Sequence, residues 1–170
     1  MTLDHKVFPT VDTETTAPGS FVALVSTYET DRTGERVTPG AFAATLKRWS
    51  ESAKMIPVLA DHDGVIGSVV GKVDPRMSGE TKRGLEVAGH LDTSTELGTR
   101  VYQLVKEGSL SWSIGYTIPE GGRRKAGRVT ELAQIDLAEI SVVATPANEG
   151  TRTLSIKSGP PPIRIVSFEC

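Results

Sequence analysis

The chain is poor in the features that mark secreted, membrane-bound or nucleic-acid-binding proteins. Its single cysteine, Cys170, is the last of 170 residues. A lone terminal cysteine closes no intrachain disulfide and makes a poor buried nucleophile, so cysteine chemistry is set aside. No apolar run approaches the roughly 18 residues that span a bilayer, and the opening Met1-Thr-Leu-Asp-His-Lys6 has no apolar signal core. The expectation is a chain that stays in the cytoplasm and off membranes. Charge of one sign is also lacking: 19 Lys and Arg against 21 Asp and Glu leave a net charge of -2. The one basic cluster, Arg123-Arg124-Lys125 with Arg128, lies in a glycine-rich stretch that reads as a turn, so no nucleic-acid partner is indicated. Gly64-Val-Ile-Gly67 and Gly71 are too sparse for a phosphate loop, and no Gly-Lys-Ser/Thr follows them.

What remains is the composition of an ordinary globular domain, 38% apolar and 24% charged. Residues 1–20 mix Thr, Asp, Pro and Gly without apolar period and are expected to form a loose segment. The ordered domain is expected over 21–157, followed by a Pro-rich tail over 158–170 in which Ile163 to Phe168 could add an edge strand. Phe21 to Tyr28 has strand composition, and the turn Glu29 to Gly34 predicts a hairpin-like return. Thr38-Pro39 reads as an N-cap with Pro at the first helical position, and Phe42, Leu46 and Trp49 give that helix one stripe, ending near Ser52. Met55 to Ala60 and Val65 to Val73 read as strands around the turn Asp61-His62-Asp63-Gly64. Gly84 to Leu91 turns Leu85, Val87 and Leu91 inward.

A second helix has Thr93 and Glu96 as a capping box and Leu97, Val101, Leu104 and Val105 as its apolar face. Lys106-Glu-Gly108 closes it. It leads directly into Leu110 to Pro119, where hydroxyl and large apolar residues alternate. Arg128 to Ile135 and Leu137 to Ala144 follow the Gly/Arg turn, and Thr145 to Gly150 breaks the pattern. Many short strands with two helices, and no regular strand-helix-strand repeat, predict an α+β domain. Its mostly antiparallel sheet should curl toward a small barrel.

Side-chain direction then isolates three residues. On the 110–119 strand Ser111, Ser113, Gly115 and Thr117 share one face, while Trp112, Ile114 and Tyr116 face the core. On the later strand Glu139 is one carboxylate in an apolar stretch and needs a partner, because an unpaired buried charge costs several kcal/mol. His62, on a turn between strands, is a candidate partner. A serine, an imidazole that takes its proton and a carboxylate that orients the imidazole are the parts of an acyl-transfer site. Each part also has a plain structural explanation: a polar turn for His62, a small strand residue for Ser113, an arginine partner for Glu139. Ser111 competes with Ser113, His90 lies on a polar strand face, and His5 lies in the loose start. Asp61-His62-Asp63 supplies adjacent groups without a second histidine at ligand spacing, so neither a metal site nor any cofactor is expected.

Four stretches together resemble the prohead maturation proteases of tailed bacteriophages, a family similar in fold to herpesvirus assemblin. They are Thr38-Pro-Gly-Ala-Phe42; Ile56-Pro-Val-Leu-Ala-Asp-His-Asp63 followed by Ile66-Gly67; Leu110-Ser-Trp-Ser-Ile-Gly-Tyr116; and Leu137-Ala-Glu-Ile-Ser-Val-Val-Ala-Thr-Pro-Ala-Asn148. The resemblance runs from about Phe21 to about Leu154. It implies a serine endopeptidase with His62, Ser113 (not Ser111) and Glu139 as its catalytic residues. Assemblins use a second histidine where Glu139 would stand, yet all three histidines here precede Ser113. The implied substrates are a scaffold protein or the scaffold segment of the major capsid protein, cut inside the immature capsid, with self-cleavage and homodimerisation as further expectations. A non-catalytic capsid-assembly module of the same fold is the alternative. Trp112 departs from the smaller or aliphatic residue common at that position in the family, and the sequence gives no account of it.

Overall fold

A computed structural model describes residues 17–158. Most of the loose N-terminal segment with His5, and the Pro-rich tail with Ile163 to Phe168 and Cys170, lie outside the described residues. Ten strands and two helices follow one another within them: β1 (Ser20–Thr27), β2 (Glu35–Val37), α1 (Ala43–Glu51), β3 (Ile56–Ala60), β4 (Val69–Glu80), β5 (Gly84–Leu91), α2 (Glu96–Lys106), β6 (Ser111–Thr117), β7 (Arg123–Ala126), β8 (Val129–Leu132), β9 (Asp136–Val143) and β10 (Arg152–Ile156). Seven strands form one sheet in the order β10-β1-β5-β4-β3-β9-β6, and β2-β8-β7 form a second. Pairing in the large sheet is antiparallel except between β3 and β9. The fold is therefore α+β, with a curled, mostly antiparallel sheet and two helices. No helix among the described residues is long and apolar enough to cross a membrane.

Trp112 shows how the sheet curls. It sits on β6, at one end of the strand order, yet its fully buried ring stacks on Phe21 of β1 with centroids 4.5 Å apart. Its Nε1–H donates to Thr153 Oγ1 on β10, at the other end, at 2.9 Å. Thr151 Oγ in turn donates to the Trp112 carbonyl at 2.7 Å. One side chain thus joins the two ends of the sheet around the core, which explains an indole beside Ser113.

Both helices serve the sheet. The stripe Phe42, Leu46 and Trp49 turns α1 toward the core, and α1 also grips the start of β9. Thr45 Oγ1 accepts the Leu137 N–H at 3.0 Å, Trp49 Nε1–H donates to the Leu137 carbonyl at 2.8 Å, and Arg48 pairs with Asp136. Helix α2 buries Gly98, Val101 and Val105 and packs on β4 and β5.

Several sequence expectations need correction. Strand β2 is no hairpin return for β1; it pairs in parallel with β8. Thr38-Pro39 is not a helix cap. Gly40 has φ +93° and Ala41 N–H donates to the Thr38 carbonyl, so Thr38 to Ala41 is a turn with Pro second and a positive-φ Gly third, and α1 begins four residues after Pro39. The cap of α2 is Thr95, whose Oγ1 accepts the Gly98 N–H at 3.0 Å, and not Thr93; Leu97 is exposed. Residues 65–68 form a bend and a short 3-10 turn, so β4 starts at Val69 and runs on through a bulge to Glu80. The Gly/Arg stretch is not only a turn: Arg123 to Ala126 is strand β7, and β10 is a strand beyond the Thr145 to Gly150 break.

Candidate active site

Strands β6 and β9 place two of the three singled-out residues by register alone. Ser113 lies opposite Ser141 and Gly115 opposite Glu139. Across that ladder the Glu139 carboxylate fills the space a side chain at position 115 would need: a Cβ there would lie 2.1 Å from Oε1. The glycine at 115 thus leaves room for the acid.

The third residue comes from the end of β3, parallel to β9. Asp61 N–H donates to the Val142 carbonyl, extending the ladder by one residue. Asp61 and His62 then adopt φ of +52° and +59°, a left-handed pair that non-glycine residues rarely take. That pair turns the chain sharply, and the His62 N–H donates to Ser141 Oγ at 3.2 Å. Asp63 braces the outgoing loop by accepting from Ser68 Oγ at 2.7 Å and from the Val65 N–H.

The three side chains form one hydrogen-bonded line. Ser113 Oγ and His62 Nε2 are 2.9 Å apart, and His62 Nδ1 and Glu139 Oε1 are 2.5 Å apart. Glu139 Oε2 accepts from Ser141 Oγ at 2.8 Å. The acid's side chain is 12% exposed and the ring's 41%, so the carboxylate is shielded while the imidazole stays open to an incoming molecule. With Nδ1–H given to the acid, Nε2 is left to accept the serine proton. Ser111 is not in this line. His90 stands apart, its Nε2 2.8 Å from the Pro18 carbonyl oxygen. Among the described residues no group of three His, Cys, Asp or Glu side chains stands where it could hold a metal.

Two members of the arrangement were not singled out from the sequence. Ser141 shares a strand face with Glu139 two residues away, so its position was visible and only its contacts were not. The need for glycine at 115 depends on the register of strands distant in sequence, which no local pattern reveals.

The family model described as caudovirus prohead serine protease matches residues 10–159. No curated protein matches the sequence. Among solved structures the varicella-zoster virus protease is similar, at 18% identity over 79% of this chain with a TM-score of 0.48; this chain spans 62% of the length of that one.

Proposed function

The chain belongs to the caudovirus prohead serine protease family, and from that premise we propose that it is an endopeptidase working through Ser113, His62 and Glu139, in a domain spanning 21–157. The observation that carries this reading is the line from Ser113 Oγ through the His62 ring to Glu139, at 2.9 and 2.5 Å. Ser113 Oγ attacks the scissile carbonyl carbon while its proton passes to His62 Nε2. Glu139 holds the tautomer and stabilises the imidazolium through Nδ1–H. His62 then gives that proton to the departing amine nitrogen as the C–N bond breaks, leaving an ester on Ser113. Water, deprotonated by the same ring, hydrolyses the ester and restores the hydroxyl.

The substrates on this reading are the scaffold protein or the scaffold segment of the major capsid protein, together with the ends of the enzyme itself. Cleavage takes place inside the immature capsid, in the cytoplasm of the bacterial host, and the enzyme acts as a homodimer. Strand β6 suits an extended substrate because β9 is its only ladder partner among the described residues, which leaves its other edge, beyond the Trp112 carbonyl that Thr151 takes, for a substrate strand.

Coexpression with the capsid and scaffold proteins tests the proposal. The wild-type chain should remove the scaffold, and Ser113→Ala and His62→Ala should each slow cleavage by at least about 10³-fold with unchanged circular dichroism. Scaffold removal by a folded Ser113→Ala variant would exclude the serine mechanism. Mass spectrometry of the chain expressed alone reads self-trimming, and sedimentation equilibrium reads the dimer.

A further inference from the structure

A cavity opens beside Ser113, and its lining divides by chemistry. Val25, Val37 and Leu132 form a buried apolar wall, continued by Ile114. The lining also includes two acidic residues, the exposed Glu29 and the half-buried Asp31. A third carboxylate on the lining, Glu35, is already answered by Arg123 at 3.0 Å and by the Tyr116 hydroxyl at 3.1 Å. Glu29 and Asp31 are in no ion pair among the described residues. Asp31 Oδ1 accepts from the Thr33 N–H and Oγ1 and from the Glu35 N–H, which fixes the carboxylate and leaves Oδ2 outside these bonds. Burial, and then the negative field of Glu35 with a further part from Asp31, push the Tyr116 phenol up to about 12.

The backbone at this place supplies an independent observation. Val142 gives its carbonyl to Asp61 on the β3 side, and the Trp112 carbonyl accepts from Thr151 on the side away from β9. In an antiparallel ladder outward- and inward-pointing residues alternate, and Trp112, Ile114, Val142 and Ile140 share one parity. The N–H and C=O of Ile114 therefore point out of the free edge of β6, and no group among the described residues bonds to them. A donor and an acceptor with strand spacing, one residue from Ser113, are what an extended peptide backbone pairs with.

We propose that this cavity is a side-chain subsite for a lysine or arginine, carried by an extended peptide segment paired along the free edge of β6. The inference rests on the reading of Ser113 as the nucleophile and adds to it the class of substrate. Lys and Arg alone combine an aliphatic stem with a cationic head. The stem lies against Val25, Val37 and Leu132, and the head meets Glu29 and Asp31. A purely apolar side chain would cover these carboxylates without answering their charge, and an acidic one would be repelled.

The test is cleavage-site profiling by mass spectrometry on a denatured peptide library with the full chain. Wild-type protein should show Lys and Arg enriched at one fixed position relative to the cut, by about fivefold over norleucine-like Met and Leu. The enrichment should shrink as salt is raised. Glu29→Gln with Asp31→Asn should flatten it, since Asn at 31 keeps the acceptor that holds the turn, and Glu29→Lys should lower it by itself. Cleavage by wild type with no basic preference, or a preference undiminished in the double variant, overturns the subsite while leaving the serine mechanism standing. Cleavage by Ser113→Ala at the wild-type rate overturns both.

Discussion

At the scale of single residues, the acid is held more tightly than the other two members of the line. Glu139 is kept in place by the absence of a side chain at Gly115 and by the hydroxyl of Ser141. Gly115→Ala would drive a methyl into the carboxylate and displace it from the ring. A misplacement of about 1 Å at a reacting group costs on the order of 100-fold in rate, so the expected result is a folded protein with kcat down about 100-fold and KM little changed. Ser141→Ala removes both the donor to Oε2 and the acceptor of the His62 N–H. It should lower kcat about tenfold and stability by about 1–3 kcal/mol, the cost of a buried polar group left unmet. Steady-state kinetics beside urea titrations separates the two, and a Ser141→Ala enzyme with wild-type kcat would show that Ser141 has no positioning role. Chemistry-bearing types in isolation are easy to see, which is why Ser113, His62 and Glu139 were legible as candidates, and the structure brings the three into one hydrogen-bonded line. The residues that hold them were not, because a glycine or a second serine acquires meaning only from the strand opposite.

At the scale of elements, legibility followed burial. Strand β5 alternates Leu85, Val87 and Leu91 toward the core and was read with its observed bounds. Strand β7 is exposed at all four positions, so no apolar period marks it and its Arg and Lys read as a turn. The start of α1 was misplaced because Thr-Pro is common to helix starts and to turns, and the following Gly40 decides for the turn. The charges of β7 do have a structural partner. Glu131 on β8 is bonded by Arg124 from β7 and by Arg36 from β2, which clasps the three-stranded sheet from both sides. Those bonds, Arg124 first and then Arg36, hold its carboxyl below the usual range. A depressed folded value means that the clasp contributes above the ordinary carboxylate range and is lost as pH falls through the lowered value. Glu131→Gln should therefore melt below wild type by a constant margin down to about pH 5, and the margin should close in stronger acid. A margin that ignores pH in calorimetry would remove the electrostatic account.

For the whole molecule, the determining contact is the indole that joins both ends of the sheet. The α+β class and the curl of the sheet were legible from the count and spacing of short strands. The closure was not, since it needs β6, β1 and β10 together and β10 gave no strong signal of its own. Trp112→Ala would remove the stack on Phe21 and the bond to Thr153. A loss of about 3–5 kcal/mol is expected for so large a buried ring, read as a shifted denaturation midpoint. A shift under about 1 kcal/mol would mean that the ends of the sheet hold together without it.

The ladder between β6 and β9 has a further consequence in time. His62 lies 51 residues before the alcohol and 77 before the acid, and both the acid and its anchoring hydroxyl belong to β9, the last strand but one among the described residues. During synthesis the ring and the alcohol emerge first, without the group that orients them. A chain shortened before β9 lacks the strand on which Ser113 is registered, together with Glu139 and Ser141, so the line from the alcohol to the acid assembles only once that strand has been made.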